Sequence, residues 1–413
     1  MKSIVIAGTS VYGIENMGDE ALFAVLCREL RNNIPDLEIT WLARHPSREL
    51  DELYGVKRSI RNLDHDSKEQ SIGRWFWGLN RGDPTDHLCE IREALAACDL
   101  FIIGGDPFNE ISLGVYRGLA PQAALLITLA KFLEKPVMLY SIHMGRPLKT
   151  DLGKELTKYC VTNSTVVTLR EEFSKQVLED MGISTQNTVV LADTAWGLDP
   201  FEETEKGHAI LEEEGIQFKS DNVIGFNFRH QYWVWSDVEW DHYCSMLAEV
   251  GDYMVEMMGV DLLFIPNCTY EVDAKYHEYQ DDRPTHRDIV ARMKHKDHAH
   301  QITKKHNVFE TLSLFPLLDM HFSNRRHSLI FAAVHGVPPV ACGGEWHIKP
   351  AMDKLSLGDK FVKIEELNAD LLKQSLYATW KDRKAIRKRI HRVLPGLREK
   401  ALQHGKVAAG LLR

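Results

Sequence analysis

Leu317-Leu318-Asp319-Met320-His321-Phe322-Ser323-Asn324-Arg325-Arg326-His327-Ser328-Leu329-Ile330-Phe331-Ala332-Ala333 carries the pattern that decides the fold. Its first six residues read as a short buried strand. A turn crowded with positive charge follows, and Ser328 opens an apolar helix that stops at Gly336-Val337-Pro338-Pro339. Strand, turn and helix in that order bring backbone N–H groups and the positive end of a helix together beside Arg325, Arg326 and His327. An anion fits there. The plainer reading is a helix start whose arginines are simply solvated. Against it, two arginines and a histidine at one helix start repel one another unless something negative sits among them.

The same rhythm runs outward in both directions. Short continuous apolar runs at Ser3–Ala7, Glu38–Leu42, Leu100–Ile103, Val137–Tyr140, Val166–Leu169 and Val189–Leu191 alternate with helical stretches at Glu20–Asn32, Asp86–Ala97 and Ala120–Phe132. Strands that need not alternate are covered on both faces, which predicts a parallel α/β sheet. The pattern pauses at Trp196 to Glu205, which reads as a linker. A second series follows: a strand from Val223 to Asn227, a helix over Tyr243–Met258, a strand over Asp261–Pro266, the stretch quoted above, a strand over Pro339–Cys342 and a helical tail after Asn368. Between Tyr270 and Val308 the rhythm breaks into a charged, histidine-rich stretch, read as a solvated helix-and-loop insertion.

Composition narrows the classes. The chain has 413 residues, 44% hydrophobic and 26% charged, enough for two packed domains. A formal net charge of −9 excludes general polyanion binding, so no nucleic-acid partner is expected and any basic site is local. The 7 cysteines are scattered and never spaced Cys-x-x-Cys, which fits a reducing cytoplasm and no disulfide framework. The run after Met1 is too short for a signal peptide, and no run is long enough to span a bilayer. No metal is expected: His295, His298 and His300 lack the cysteine or clustered carboxylates that would complete a ligand shell. The basic run Lys381 to Arg392 could touch anionic lipid, though one packed and one solvated face is the commoner arrangement, so at most a peripheral contact at the inner face of the membrane is expected.

Five segments in order resemble the polysaccharide pyruvyl transferases. Arg325 and His327 match an Arg-x-His motif that opens a helix followed by Gly-Val-Pro. Asn16-Met17-Gly18-Asp19-Glu20-Ala21 is similar to the family's Asn-x-Gly-Asp-Glu-Ala loop. Arg170-Glu171-Glu172-Phe173-Ser174 resembles its Arg-Asp/Glu-x-x-Ser segment, Leu191-Ala192-Asp193 its short Asp-containing strand end, and Lys349 stands where the family carries a lysine. The resemblance implies a glycosyltransferase-B-like architecture, two Rossmann-like parallel-sheet domains facing a cleft. Residues 1–200 would form the acceptor side. Residues 201–413 would form the donor side, with a charged insertion at about 270–308 and a basic C-terminal helix. It implies transfer of a pyruvyl group from phosphoenolpyruvate onto a sugar as a ketal, without cofactor. The acceptor would be a glycan or its precursor, free, nucleotide-linked or lipid-linked.

Candidate residues sit at strand ends. Arg325, Arg229 and Lys349 suit a small dianion, and His327 suits proton transfer. In the first half, Asn16, Asp19 and Glu20 could bond sugar hydroxyls, although Asp19 and Glu20 would equally cap their helix. Gly104 and Gly105 allow close approach of a ligand to the backbone. Asp106 stands where relatives continue in glycine, which predicts a neutral or cationic acceptor portion beside it. Asp19 or His143 could orient or deprotonate the acceptor, with Arg146 as an anion clamp, or His143 could be structural. Arg170 could clamp an anion or pair with Glu171 or Glu172. Two rivals are a glycosyltransferase using a nucleotide sugar, with Glu345 on the ribose or donor sugar, and a non-catalytic carbohydrate- or anion-binding protein. The absence of a Gly-x-Gly-x-x-Gly turn weighs against a hydride-transfer enzyme.

Overall fold

The computed structural model describes residues 1–8, 15–63, 86–108, 119–145, 148–201, 204–230, 237–270 and 281–412. Gly13, Arg146 and His277, and the side chain of Glu345, lie outside the described residues. The chain forms two compact units. One holds residues 1–14, 19–197 and 398–413; the other holds 15–18 and 198–397.

The first unit carries a seven-stranded sheet in the order β3-β2-β1-β4-β5-β6-β7. Its strands are β1 (Lys2–Ala7), β2 (Leu37–Ala43), β3 (Arg58–Arg61), β4 (Leu100–Gly104), β5 (Val137–Ile142), β6 (Val166–Leu169) and β7 (Thr188–Val190). All pairings are parallel. β4 and β5 are buried at every residue, as apolar runs covered on both faces require. The core packs Val5, Phe101, Ile103, Val137 and Leu139 against Ala123, Ile127 and Ala130 of the helix Leu119–Phe132. β3 escaped the sequence reading because its Arg-Ser-Ile-Arg edge has a single buried residue and no apolar run.

The second unit carries a six-stranded parallel sheet, β10-β9-β8-β11-β12-β13. Its strands are β8 (Val223–Asn227), β9 (Asp261–Phe264), β10 (Ala299–Gln301), β11 (Met320–Ser323), β12 (Pro339–Gly343) and β13 (Phe361–Lys363). Phe226, Phe264 and Phe322 meet at ring-centroid distances of 5.0 and 5.2 Å in its core. The stretch read as a solvated insertion belongs to this sheet. Asp282–Arg292 is its crossover helix and β10 its edge strand, paired in parallel with β9. Asp282, His286 and Ile289 are buried, so a charge-rich sequence here conceals a regular βαβ unit.

Residues 15–18 and 398–413 fall outside a simple division near residue 200. Met17 N–H donates to Asn267 O at 2.9 Å and Asn16 bridges to Cys268, which ties that loop to the second unit. His404 bonds Thr168 Oγ1 and Ala192 O, each at 2.8 Å, and packs on Tyr140, tying the C-terminus to the first. The long helix Ala369–Gly410 carries the basic run; within it Ile386 and Ile390 are buried and most of the cations face solvent. No described helix is long and apolar enough to cross a membrane.

Candidate active site

Strand order reverses between β1 and β4 in one unit and between β8 and β11 in the other. An open parallel sheet offers its ligand crevice at the carboxyl ends of strands flanking such a reversal. Asn16, Asp19, Glu20, Gly104, Gly105, Asp106, Arg229, Arg325 and His327 lie past or at the ends of those strands, whereas His143 and Arg170 follow β5 and β6, and Lys349 lies on the helix after β12.

In the second unit, β8 and β11 are locked just past their last residues. Arg229 N–H donates to Asn324 Oδ1 at 3.0 Å, and Asn324 Nδ2 donates to Arg229 O at 3.2 Å. Ser323 Oγ accepts the Arg325 N–H at 2.8 Å and so fixes the turn that leads into the helix Arg326–Val334, whose N-cap residue Arg325 makes no side-chain capping bond. Arg325 is buried and is held by Asp282, whose Oδ1 accepts from its Nε at 3.2 Å and also from its Nη2. Asp282 Oδ2 accepts the N–H groups of Asn267 and Cys268 at 2.8 and 3.1 Å and Asn227 Nδ2 at 3.1 Å. Burial works against the Arg325 charge, yet the carboxylate of Asp282 more than offsets it and holds the proton more firmly than usual. Arg325 is therefore balanced by an acid that the sequence reading assigned to solvent. One turn further on, burial pushes the His286 imidazole down to about 4, and its Nε2 accepts the Phe228 N–H at 3.2 Å.

His327 is half-buried, two residues into the turn-and-helix motif. A Cβ on Gly18 would fall 2.7 Å from His327 Cγ and closer still to Nδ1. Only glycine leaves the ring where it is. Asn16 Oδ1 shapes the approach by accepting the Gly18 N–H at 3.1 Å and Asn267 Nδ2 at 3.3 Å. The Asn16-x-Gly18 and Arg325-x-His327 motifs, some three hundred residues apart, thus touch within one unit. Lys349 sits on the helix Glu345–Lys354 and pairs with Asp353 at 2.5 Å, partly exposed. Arg326 is buried at the first turn of its helix.

In the first unit, Gly104 ends β4 and Gly105 and Asp106 follow it, and Gly105 takes a φ of 87°, a conformation that favours glycine. Arg170 follows β6 and is 1% exposed. Its Nε donates to Ser141 O at 2.5 Å, its Nη2 meets Asp106 Oδ1 at 3.2 Å and its Nη1 meets Asp193 Oδ2 at 3.5 Å. Burial again opposes the charge, and the carboxylates of Asp106, Asp193, Glu171 and Asp19 overcome it. Asp106, where the sequence departs from glycine, is thus turned to Arg170, and Arg170 is engaged by Asp106 and Asp193. Asp19 and Glu20 lie buried in the first turn of the helix Met17–Asn33, where the helix dipole favours acids. Glu20 accepts the Tyr54 hydroxyl. His143, past the end of β5, meets Glu171 Oε1 through Nδ1 at 2.6 Å.

The sequence does not point to Asp282 and Asn324 as partners, nor to Glu171 as the partner of His143. Asp281-Asp282-Arg283-Pro284 did carry a signal, an N-cap followed by proline in the first helical turn, and Asp281 caps that helix by accepting the Arg283 N–H at 2.9 Å.

Comparison with known proteins bears on the whole chain. Residues 16–345 match the model of the polysaccharide pyruvyl transferase family. The amylovoran biosynthesis protein AmsJ of Erwinia amylovora is 23% identical over 383 residues, 88% of each chain. The solved Anabaena protein HepE, in complex with UDP and glucose, superposes with a TM-score of 0.62 at 12% identity, covering 100% of this chain and 99% of that one. The UDP-GlcNAc 2-epimerase of Neisseria meningitidis, bound to UDP-GlcNAc, gives 0.60 at 14% identity, covering 100% and 99%. At such identities the likeness establishes the fold, which is of the glycosyltransferase-B type with two parallel-sheet α/β domains, as the sequence implied.

Proposed function

The chain belongs to the polysaccharide pyruvyl transferase family, and from that premise we propose that it transfers the pyruvyl group of phosphoenolpyruvate to two hydroxyls of one sugar, forming a ketal during polysaccharide biosynthesis. One observation carries this reading: the ring of His327 rests on Gly18, so the Asn16-x-Gly18 loop and the Arg325-x-His327 turn build one constellation. The chemistry requires a proton for the donor methylene as the first hydroxyl adds to C2. Phosphate then leaves, and the second hydroxyl closes the ring and loses its proton. His327 gives the methylene its proton. Arg229 and Lys349 meet the phosphate and carboxylate, and Arg325 takes a fixed plane from Asp282. Gly104 and Gly105 border the acceptor, Asp19 orients it and His143 takes its proton. The protein works in the cytoplasm, with at most a peripheral membrane contact.

The test is phosphate release from phosphoenolpyruvate across a panel of free, nucleotide-linked and lipid-linked sugars. Release that depends on acceptor is expected. Nucleotide release from a nucleotide sugar, with no phosphate from phosphoenolpyruvate, would replace this reading with glycosyl transfer. Thermal stabilisation by a ligand with no turnover of either donor would favour a binding protein.

A further inference from the structure

The helix Ala369–Gly410 holds seven lysines and arginines between Lys381 and Arg392, and Asp382 is the only acid between Asp370 and Glu399. Three of those cations serve the fold of the second unit. Arg383 lies over the Trp380 ring at 3.9 Å and donates to Trp380 O at 2.8 Å. Arg387 donates through Nε to Gly336 O at 3.0 Å, and Arg389 through Nη1 to Ser356 O at 2.9 Å. Both carbonyls lie just past the ends of the helices Arg326–Val334 and Glu345–Lys354, where a cation meets the negative end of the dipole. The other four, Lys381, Lys384, Lys388 and Arg392, are exposed and have no carboxylate partner among the described residues. Spaced i, i+3, i+7 and i+11, they share the face opposite the buried Ile386 and Ile390, in a row roughly 16 Å long.

Like charges one turn apart weaken a helix unless something negative lies along them. In a chain of formal net charge −9, such a row marks a local surface for an anionic partner. The helix offers no platform for stacking bases, because Lys381 covers the Tyr377 ring at 4.3 Å and Arg383 covers Trp380. Nor does it carry a large apolar wedge: between Lys381 and Arg392 the only exposed apolar residue is Ala385. A single row of cations on one helix face, mostly lysines, suits a flat anionic surface that it touches without entering.

We propose that this face docks the protein on an anionic lipid bilayer, through attraction of Lys381, Lys384, Lys388 and Arg392 to the headgroups. The proposal gives a place to the peripheral membrane contact named above. It rests on that contact and not on pyruvyl transfer.

The test is co-sedimentation of the full-length protein with phosphatidylcholine vesicles containing about 30% phosphatidylglycerol, at about 0.1 M salt. Each cation of the row adds roughly fivefold to binding. Lys384→Gln combined with Lys388→Gln should therefore weaken it about 25-fold. Arg387→Gln combined with Arg389→Gln removes the same charge from the fold-serving positions. That pair should lower Tm and weaken binding by no more than about threefold. Wild-type binding should be absent on phosphatidylcholine alone and should fall at least about tenfold by ~0.5 M salt. Equal binding to neutral and anionic vesicles, no binding to either, or equal losses in the two double variants would overturn the proposal. So would an oligonucleotide or acidic polysaccharide that binds more tightly than the vesicles at equal salt and is lost with Lys384 and Lys388. The Lys384 and Lys388 double variant should keep wild-type phosphate release with a soluble acceptor. A wild type that never turns over phosphoenolpyruvate overturns the proposed chemistry instead, and leaves the vesicle result standing.

Discussion

Gly18→Ala isolates the contact on which the proposed function rests. Gly18 does not occupy the left-handed region, so alanine adopts its backbone without strain. The new methyl, however, would sit 2.7 Å from His327 Cγ and 3.0 Å from its Cβ. Ordinary carbon contacts begin near ~3.5 Å, so the ring must retreat by about 1 Å. Overpacking of this kind costs about 1–3 kcal/mol, which at about 2–4 °C per kcal/mol lowers Tm by about 2–12 °C in units of this size. Catalysis is less forgiving: a displacement of about 1 Å costs roughly 10²-fold. Steady-state phosphate release should show kcat falling by about that factor, with the KM for phosphoenolpyruvate nearly unchanged. The control is a double-mutant cycle. Once His327→Ala has removed the ring, adding Gly18→Ala should cost nothing more, because there is nothing left to displace. Losses that multiply in the double variant, or full activity in Gly18→Ala, would refute the reasoning.

Asp282→Asn should destabilise the second unit by about 3–5 kcal/mol in urea titration, because it leaves Arg325 buried without its counter-charge. Asp282→Asn combined with Arg325→Met should recover much of that loss while staying inactive, and a single variant as stable as wild type would contradict the pairing. Asp106→Gly should lower Tm and leave acceptor preference intact, since the carboxylate faces Arg170; a changed acceptor profile at unchanged Tm would return Asp106 to the acceptor site. Acid stability should follow the buried histidines: burial pushes His286 and His335 down to about 4 and His321 down to about 3 from 6.5. Each takes a proton in the unfolded chain before it does in the folded one, so this contribution is complete above about pH 6.5 and is lost as pH falls toward 4. Its size is on the order of 3 kcal/mol per group. A urea midpoint that stays flat between about pH 7 and 4.5 would contradict it.

The fold was legible where strands are central and dim where they are edges. β4, β5, β8 and β11 are buried along their whole length, and burial on both faces writes itself as an uninterrupted apolar run. β3 and β10 lie at sheet edges, with one or no fully buried residues, and their sequences Arg-Ser-Ile-Arg and Ala-His-Gln say nothing about a sheet. The crossover helix before β10 was obscured for the same reason. Three of its four buried residues, Asp282, Thr285 and His286, are ones that sequence patterning counts as polar, and only Ile289 is apolar. Polar burial is invisible to a hydrophobic period, because it is decided by partners distant in the chain.

The candidate site repeats that lesson in electrostatic form. Counting cations along the chain predicts a strongly positive pocket at Arg325 and an anion clamp at Arg170, but each arginine is buried against acids: Asp282 for the first, Asp106 and Asp193 for the second. Isolated guanidinium groups could not be buried at so little cost, so the acids are the condition for having arginines there at all. Pairing changes what such an arginine does. Its planar fork is already fixed by one carboxylate, so an incoming anion meets an oriented hydrogen-bonding edge in place of a mobile charge, and recognition depends on shape more than on net attraction. For the proposed donor, that distinction separates two ways of binding a small dianion. If fixed geometry governs, raising ionic strength should weaken phosphoenolpyruvate binding only slightly, since buried pairs are poorly screened. Affinity falling steeply with salt would instead place the donor on exposed cations such as Lys349, and the arginines would become scaffold.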